Sequence, residues 1–262
     1  MSRDIHPTAL VHPDVDLPDD VRLGPYAVVE SDVRIGRGTE VRAHAVLKRY
    51  TTLGEDNQVH EGAVLGGEPQ DVSFDGGASS LRIGDRNRIR EGVTIHRAGA
   101  GRETVVGSDC FLMAYVHVAH DDRLGDGVIV ANNVALAGHV EIGDRAFLSG
   151  GVVVHQFCRI GRLAMIGGNS KIVQDCLPFV ITDGAPGRAR GLNLVGLRRA
   201  GVAASQVRAL KEGYRLLLRA ALPLETALER MSAVADPLVD EMAAFARSAK
   251  RGFAHAGRAG DE

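Results

Sequence analysis

From Val106 to Leu177 the chain reads VGSDCF LMAYVH VAHDDR LGDGVI VANNVA LAGHVE IGDRAF LSGGVV VHQFCR IGRLAM IGGNSK IVQDCL. Each of these twelve hexads opens with Leu, Ile or Val. Its fifth place holds a small or slim residue: Cys, Val, Asp, Ala or Ser. A period of six fits neither a 3.6-residue helix nor a long two-residue alternation; it fits short strands separated by tight corners. Repetition at a fixed period outweighs local propensity. Four histidines lie within the run: His117, His120, His139 and His155.

The repeat extends back to the N-terminus. Ile5, Val11, Leu17, Leu23, Val29, Ile35, Val41, Leu47, Leu53, Val59 and Leu65 are each six apart. It breaks over 66–80, rich in Gly, Ser and Asp, which reads as a loop expelled from the repeat. Ile83, Ile89 and Ile95 resume in the same phase, and a second insertion at 97–104 shifts the phase by five before Val106. Long excursions from a compact repeat are often functional. After Leu177 the hexads stop at Pro178. Val207, Leu210, Tyr214, Leu217 and Leu218 then follow helical spacing, with Ser205 as the expected cap, and two more helices are predicted over 224–234 and 237–251. The last ten residues are polar and read as frayed. The expected organisation is a mainly β repeat domain over 1–190 and a small α-helical domain over 191–262.

Lys plus Arg number 31 against 33 Asp plus Glu in 262 residues, a balance without the basic footprint of a nucleic-acid partner. No run is apolar enough for a signal peptide or a membrane span, so a cytoplasmic protein without membrane insertion is expected. Cys110, Cys158 and Cys176 all occupy fifth places, which reads as buried small core residues rather than nucleophiles.

Hexads of this form resemble those of the hexapeptide-repeat proteins, which implies a left-handed parallel β-helix with three hexads per triangular coil. About 26 hexads would give eight or nine coils and a prism about 40 Å long. Several segments are more specific: Pro69–Asp71, Ile83–Arg97, His117–Asp121, Ala131–Val140, Val154–Gly161 and Gly191–Arg199. They resemble the UDP-N-acetylglucosamine O-acyltransferase family, which opens lipid A synthesis. The resemblance implies transfer of an (R)-3-hydroxyacyl group from acyl carrier protein to the sugar 3-hydroxyl. It also implies a homotrimer of parallel prisms with active sites between neighbours. No metal or bound cofactor is expected, because the phosphopantetheine thioester arrives with the carrier. The exposed cations expected to meet that acidic carrier are Arg198, Arg199, Arg208, Lys211, Arg215 and Arg219.

With 18-residue coils, His120, Gly138 and Gln156 stack in one column. An imidazole can take a proton from a sugar hydroxyl near neutrality, and a glycine lets its N–H approach a developing oxyanion. The resemblance assigns His120 as general base, Gly138 N–H as oxyanion donor and Asp121 as the group that orients His120. Adjacent strand residues point opposite ways, so that last contact needs a corner at 120–121. Asp71, His117, His139, His155, Gln156, Asn193 and Arg199 are implied substrate contacts, and Gly168 falls where the family sets acyl-chain length. Two departures concern cations: Ser73 and Ala200 stand where the family usually has basic residues.

Three other readings remain. A UDP-2,3-diamino sugar acceptor would use the same base. A zinc lyase of the gamma carbonic anhydrase type needs converging imidazoles. No two histidines are 18 apart, and His120 and His139, offset by 19, come nearest. A non-catalytic solenoid would not depend on His120.

Overall fold

The computed structural model describes residues 4–256. The hexads form strands of mostly two residues separated by two-residue corners. Each strand pairs in parallel with its counterpart one coil away, which builds three sheets of 11, 9 and 7 strands. The usual register offset is 18 residues, as in Asp4 with Arg22 and His117 with Ala135. Val64 pairs with Thr94, and Thr94 with His117, so the two inserted loops add 12 and 5 residues to their coils. The first addition is two whole hexads and preserves phase; the second is not and shifts it.

The first residue of each hexad and its fifth-place partner fill the prism. Leu47, Leu65, Ile95, Leu136 and Leu148 are fully buried, with Ala45, Ala63 and Ala146 beside them. All three cysteines are buried, and burial pushes Cys110 and Cys158 up to about 11 and Cys176 to about 12. At neutral pH they are protonated, unreactive core residues.

One corner carries a polar ladder inside the core. Thr39 Oγ1 accepts from Asn57 N at 3.2 Å, Asn57 Oδ1 from Asn87 N at 2.9 Å, and Asn87 Oδ1 from Cys110 N at 2.7 Å. Asn57 Nδ2 donates to Gly84 O at 2.8 Å. The ladder spans both inserted loops, so expelling them leaves the coil stack continuous.

After the last coil, Val180–Asp183 and Arg188–Leu192 form an antiparallel hairpin on the edge of the 11-stranded sheet. Helices α1 (Leu194–Arg199), α2 (Ala204–Leu218), α3 (Leu224–Ser232) and α4 (Pro237–Arg247) follow. Leu210, Leu228, Met231, Val239 and Met242 pack with Leu163, Leu177 and Phe179 in a second core. Arg162 to Glu241 at 2.7 Å ties α4 to the prism. Two expectations need correction. Ser205 lies inside α2, whose cap is Ala203, where the Gln206 side chain accepts from the cap N–H. The final stretch is ordered through Ala256: Phe253 bridges to Asp175 and Ala256 to Ala189, with Phe253 buried. Residues 257–262 lie outside the described residues. No described helix is long and apolar enough to cross a membrane.

Replacing Asn57 with Ala should lower stability by about 2–4 kcal/mol, because it strands the Asn87 N–H and the Gly84 carbonyl in the core. Urea unfolding measures this, and an unchanged midpoint would mean that the ladder contributes nothing.

Candidate active site

The 18-residue register brings His120 beneath Gly138. A methyl group added to Gly138 would fall 2.7 Å from Cε1 and Nε2 of His120, so the imidazole edge abuts the glycine backbone. Only glycine permits that approach. Among the described residues the Gly138 N–H has no intramolecular acceptor. Its neighbour His139 donates its own N–H to His120 O at 3.1 Å, which joins the two corners.

His120 and Asp121 form a corner, with Asp121 in the left-handed region at φ 65°. The turn brings the two side chains to the same side, as the contact required. His120 Nδ1 donates to Asp121 Oδ2 at 2.7 Å. A carboxylate can only accept, so Nδ1 carries a proton, and in the neutral imidazole Nε2 is the nitrogen left with a lone pair. Asp121 is 5% exposed and is held from the second inserted loop. Gly99 N donates to Oδ2 at 3.2 Å, and the Arg102 guanidinium lies 2.9 Å from Oδ1.

His139 stands edge-on to His120, with ring centroids 5.3 Å apart, and stacks on Phe157 at 4.5 Å. Its Nε2 is 3.8 Å from Asp121 Oδ2. Burial lowers its pKa, against the pull of Asp121. Burial also lowers that of His117, with His96 adding to it; His117 shares a 2.8 Å hydrogen bond with Thr94 Oγ1. Both imidazoles therefore favour the neutral form at pH 7.

Two recesses flank this edge. One of about 460 Å³ is lined by Gln70, His117, His120, Gly138 and Gln156. The other, of about 1050 Å³, runs past Asp121, His139, Phe157 and Arg102. The first expelled loop stands over the site. Asp71 Oδ1 accepts from Ser73 N at 2.9 Å and Ser73 Oγ at 2.8 Å. Those bonds, first from the backbone and then from the hydroxyl, lower the Asp71 pKa, and His120 and Arg102 lower it further. Ser73 thus orients Asp71 where a lysine was expected to supply charge. The buried Arg97 anchors the loop, donating to Ser79 Oγ and Glu68 Oε1, each at 3.0 Å, with Tyr50 and Phe74 against its guanidinium. His96 Nδ1 also reaches Glu68 O.

The remaining predicted positions line neither recess. His155 is exposed and bonded to Gln156 O at 3.0 Å. Gly168 is exposed on the prism surface. Asn193 is 7% exposed, with its carbonyl accepting from Gly196 N and its amide donating to Leu163 O, so it caps α1. Arg199 is exposed in the last turn of α1.

Arg102, Arg97, His96 and Gln70 escaped the sequence reading. Gln70 had a signal within Pro69–Asp71, and His96 and Arg97 had one within Ile83–Arg97; Arg102 had none. The pairing of His96 with His117, whose rings lie 5.2 Å apart, was hidden because the second loop spaces them irregularly. The ligand atoms of His120, Asp121 and His139 lie within 4.8 Å of one another, as do those of His60, Glu61 and Glu91. A cation at the first cluster would face the Arg102 guanidinium, and one at the second would face Arg42, 3.2 Å from His60 Nδ1.

A parallel prism with a His–Asp corner beneath a bare glycine N–H defines a hexapeptide-repeat transferase. The family model of the bacterial transferase hexapeptide matches residues 14–49 and 103–138, and that of UDP N-acetylglucosamine O-acyltransferase, domain 2, matches 175–254. The acyl-[acyl-carrier-protein]–UDP-N-acetylglucosamine O-acyltransferase of Herminiimonas arsenicoxydans is 43% identical over 258 residues, 95% of this chain and 98% of that enzyme. The enzyme of that name from Gloeothece citriformis is 50% identical over 182 residues, 69% of this chain and 66% of its own length. The crystal structure of the Francisella novicida UDP-N-acetylglucosamine acyltransferase superposes with a TM-score of 0.94 at 34% identity, covering 97% of this chain and 95% of that one. The chain belongs to the UDP-N-acetylglucosamine O-acyltransferase family and is an acyltransferase.

Gly138→Ala should lower kcat about 100-fold or more while leaving the fold intact, because its methyl displaces the His120 ring by more than the site tolerates. Steady-state kinetics with circular dichroism would check it; wild-type turnover would show that the close approach is unimportant.

Proposed function

We propose that this acyltransferase moves an (R)-3-hydroxyacyl group from acyl carrier protein to the 3-hydroxyl of UDP-N-acetylglucosamine, the first step of lipid A synthesis, in the cytoplasm. The observation that carries the reading is the His120–Asp121 pair set against the Gly138 backbone. His120 Nε2 takes the proton from the sugar 3-hydroxyl as its oxygen attacks the thioester carbonyl. The tetrahedral oxyanion accepts from Gly138 N–H. Its collapse breaks the C–S bond, and the imidazolium returns the proton to the departing phosphopantetheine thiolate. Asp121 holds the tautomer and stabilises the imidazolium. General-base assistance of this kind is worth about 10²–10⁴ in rate. The thioester is already activated, so the step calls for neither metal nor resident cofactor.

Asp71, His117, His139 and Gln156 line or overhang the two recesses and are the substrate contacts in this reading. His155, Gly168, Asn193 and Arg199 are assigned to substrate by resemblance, Asn193 through its cap on α1 rather than a free side chain. The carrier docks on the exposed cations Arg198, Arg199, Arg208, Lys211 and Arg219. Arg215 is paired to Glu212 at 2.7 Å and contributes less.

The prism is taken as left-handed, like the family, and the assembly as a trimer. The outward column of the nine-stranded sheet supports the second point. Leu10, Val28, Val46 and Val64 stack along it, and His117, Ala135 and Val153 continue it past the loops. Leu10 is 66% exposed and Val153 46%. A neighbouring copy on this apolar face would also wall in the recess that holds His117 and His120.

Incubating the protein with 3-hydroxyacyl-carrier thioesters and UDP-N-acetylglucosamine should give the 3-O-acyl sugar nucleotide, and His120→Ala should reduce the rate at least 10³-fold. No ester with the natural sugar, but amide formation with a 3-amino analogue, would move the acceptor to a diamino sugar. Full activity in His120→Ala would remove the assigned base.

A further inference from the structure

Directly after the His120–Asp121 corner comes Asp122, 0% exposed, in a fifth place where the next two coils carry Val140 and Cys158. A carboxyl inside an aliphatic prism is costly unless bonded. Asp122 Oδ2 accepts from Ala119 N at 3.0 Å, and Oδ1 accepts from Val140 N at 2.8 Å. Ala119 immediately precedes His120. Val140 closes the corner formed by Gly138 and His139, one coil on. One buried side chain thus holds both corners of the site.

Both bonds replace regular ones. In the same sheet, the residue after each strand normally donates to the next coil: Ala137 N to Val154 O at 3.1 Å and His155 N to Ile172 O at 2.8 Å. Ala119 makes no such bond among the described residues and turns to Asp122 instead. At corners with apolar fifth places the N–H reaches back three residues, as in Ala63, Ala146 and Cys158 at 3.3 Å; where the coil below offers a polar side chain it turns there instead, as Asn57, Asn87 and Cys110 do in the core ladder. Val140 turns likewise to Asp122. The stack is therefore opened at the catalytic coil and rejoined through a carboxyl. Asp121 is fixed from the coil below as well, its N–H donating to the buried Thr104 Oγ1 at 2.8 Å. Burial pushes the Asp122 carboxyl well above the ordinary carboxylate range, and Asp121 adds to this. The two backbone N–H bonds pull the other way.

We propose that Asp122 is a positioning residue that sets the spacing and orientation of His120 relative to the Gly138 N–H, by bonding the backbone on either side of both. It touches no substrate. The proposal rests on the reading of His120 as base and Gly138 N–H as oxyanion donor. Displacement of such a pair by about 1 Å can cost about 10²-fold in rate.

The test compares wild type with Asp122→Val, Asp122→Cys and Asp122→Asn in the full-length protein. Val and Cys are the residues the same column carries one and two coils on, so they fit the interior but remove both acceptors. Both should lower kcat about 10²-fold, with KM for the sugar nucleotide and the acyl carrier within about twofold and the circular dichroism spectrum unchanged. Asn keeps one acceptor oxygen and should recover part of the loss. Hydrogen exchange should quicken in peptides covering Ala119 and Val140 but not in those covering Asn57 and Asn87. A folded Asp122→Val or Asp122→Cys enzyme with wild-type kcat overturns the proposal, as does an effect confined to melting temperature or to KM. If the Val variant fails to fold, Cys and Asn decide by the same criteria. A wild type that forms no ester, or a fully active His120→Ala, would instead defeat the underlying reading.

Discussion

Everything in this molecule depends on the parallel hydrogen-bond ladder that stacks one coil on the next. Its 18-residue register converts distance along the chain into position on a rigid surface. The side chains inside are mostly aliphatic, with a slim residue in each fifth place, because three short strands enclose little volume. Corners are the only places where the chain can turn a side chain sideways. The reactive residues accordingly sit at corners, His120 and Asp121 on one and Gly138 and His139 on the next.

The site follows from small departures from that regularity. Two coils expel loops of 12 and 5 extra residues without breaking the stack. The longer loop brings Asp71 and Gln70 over the recess and is pinned by Arg97. The shorter one returns Arg102 and the Gly99 N–H to Asp121. At the catalytic coil the ladder itself is interrupted and resumed through Asp122. The scaffold supplies position, and its irregularities supply chemistry, which accords with the general placement of function on loops held by rigid frames.

What could be read from the residues was whatever obeyed the period. The hexads locate the strands, the interior, the three buried cysteines and the His120–Gly138 column. The contacts that break the period stayed hidden. Arg102 and His96 meet their partners across insertions whose path no spacing rule gives. The cap that Asn193 places on α1, and its bond to Leu163 O, were likewise not given by any spacing. Asp122 passed as one more slim fifth-place residue, because nothing in a single sequence distinguishes a filler from a clamp. The last residues looked polar and loose, but Phe253 finds a place against Asp175 and the second core.

The most direct test of the account is a crystal structure of the protein with its expected product, the 3-O-(3-hydroxyacyl) form of UDP-N-acetylglucosamine. The account predicts the sugar 3-oxygen at about 2.6–3.2 Å from His120 Nε2 and the acyl carbonyl oxygen at about 2.7–3.1 Å from Gly138 N. An ester bound well away from both atoms, with the His120 corner unchanged, would contradict it.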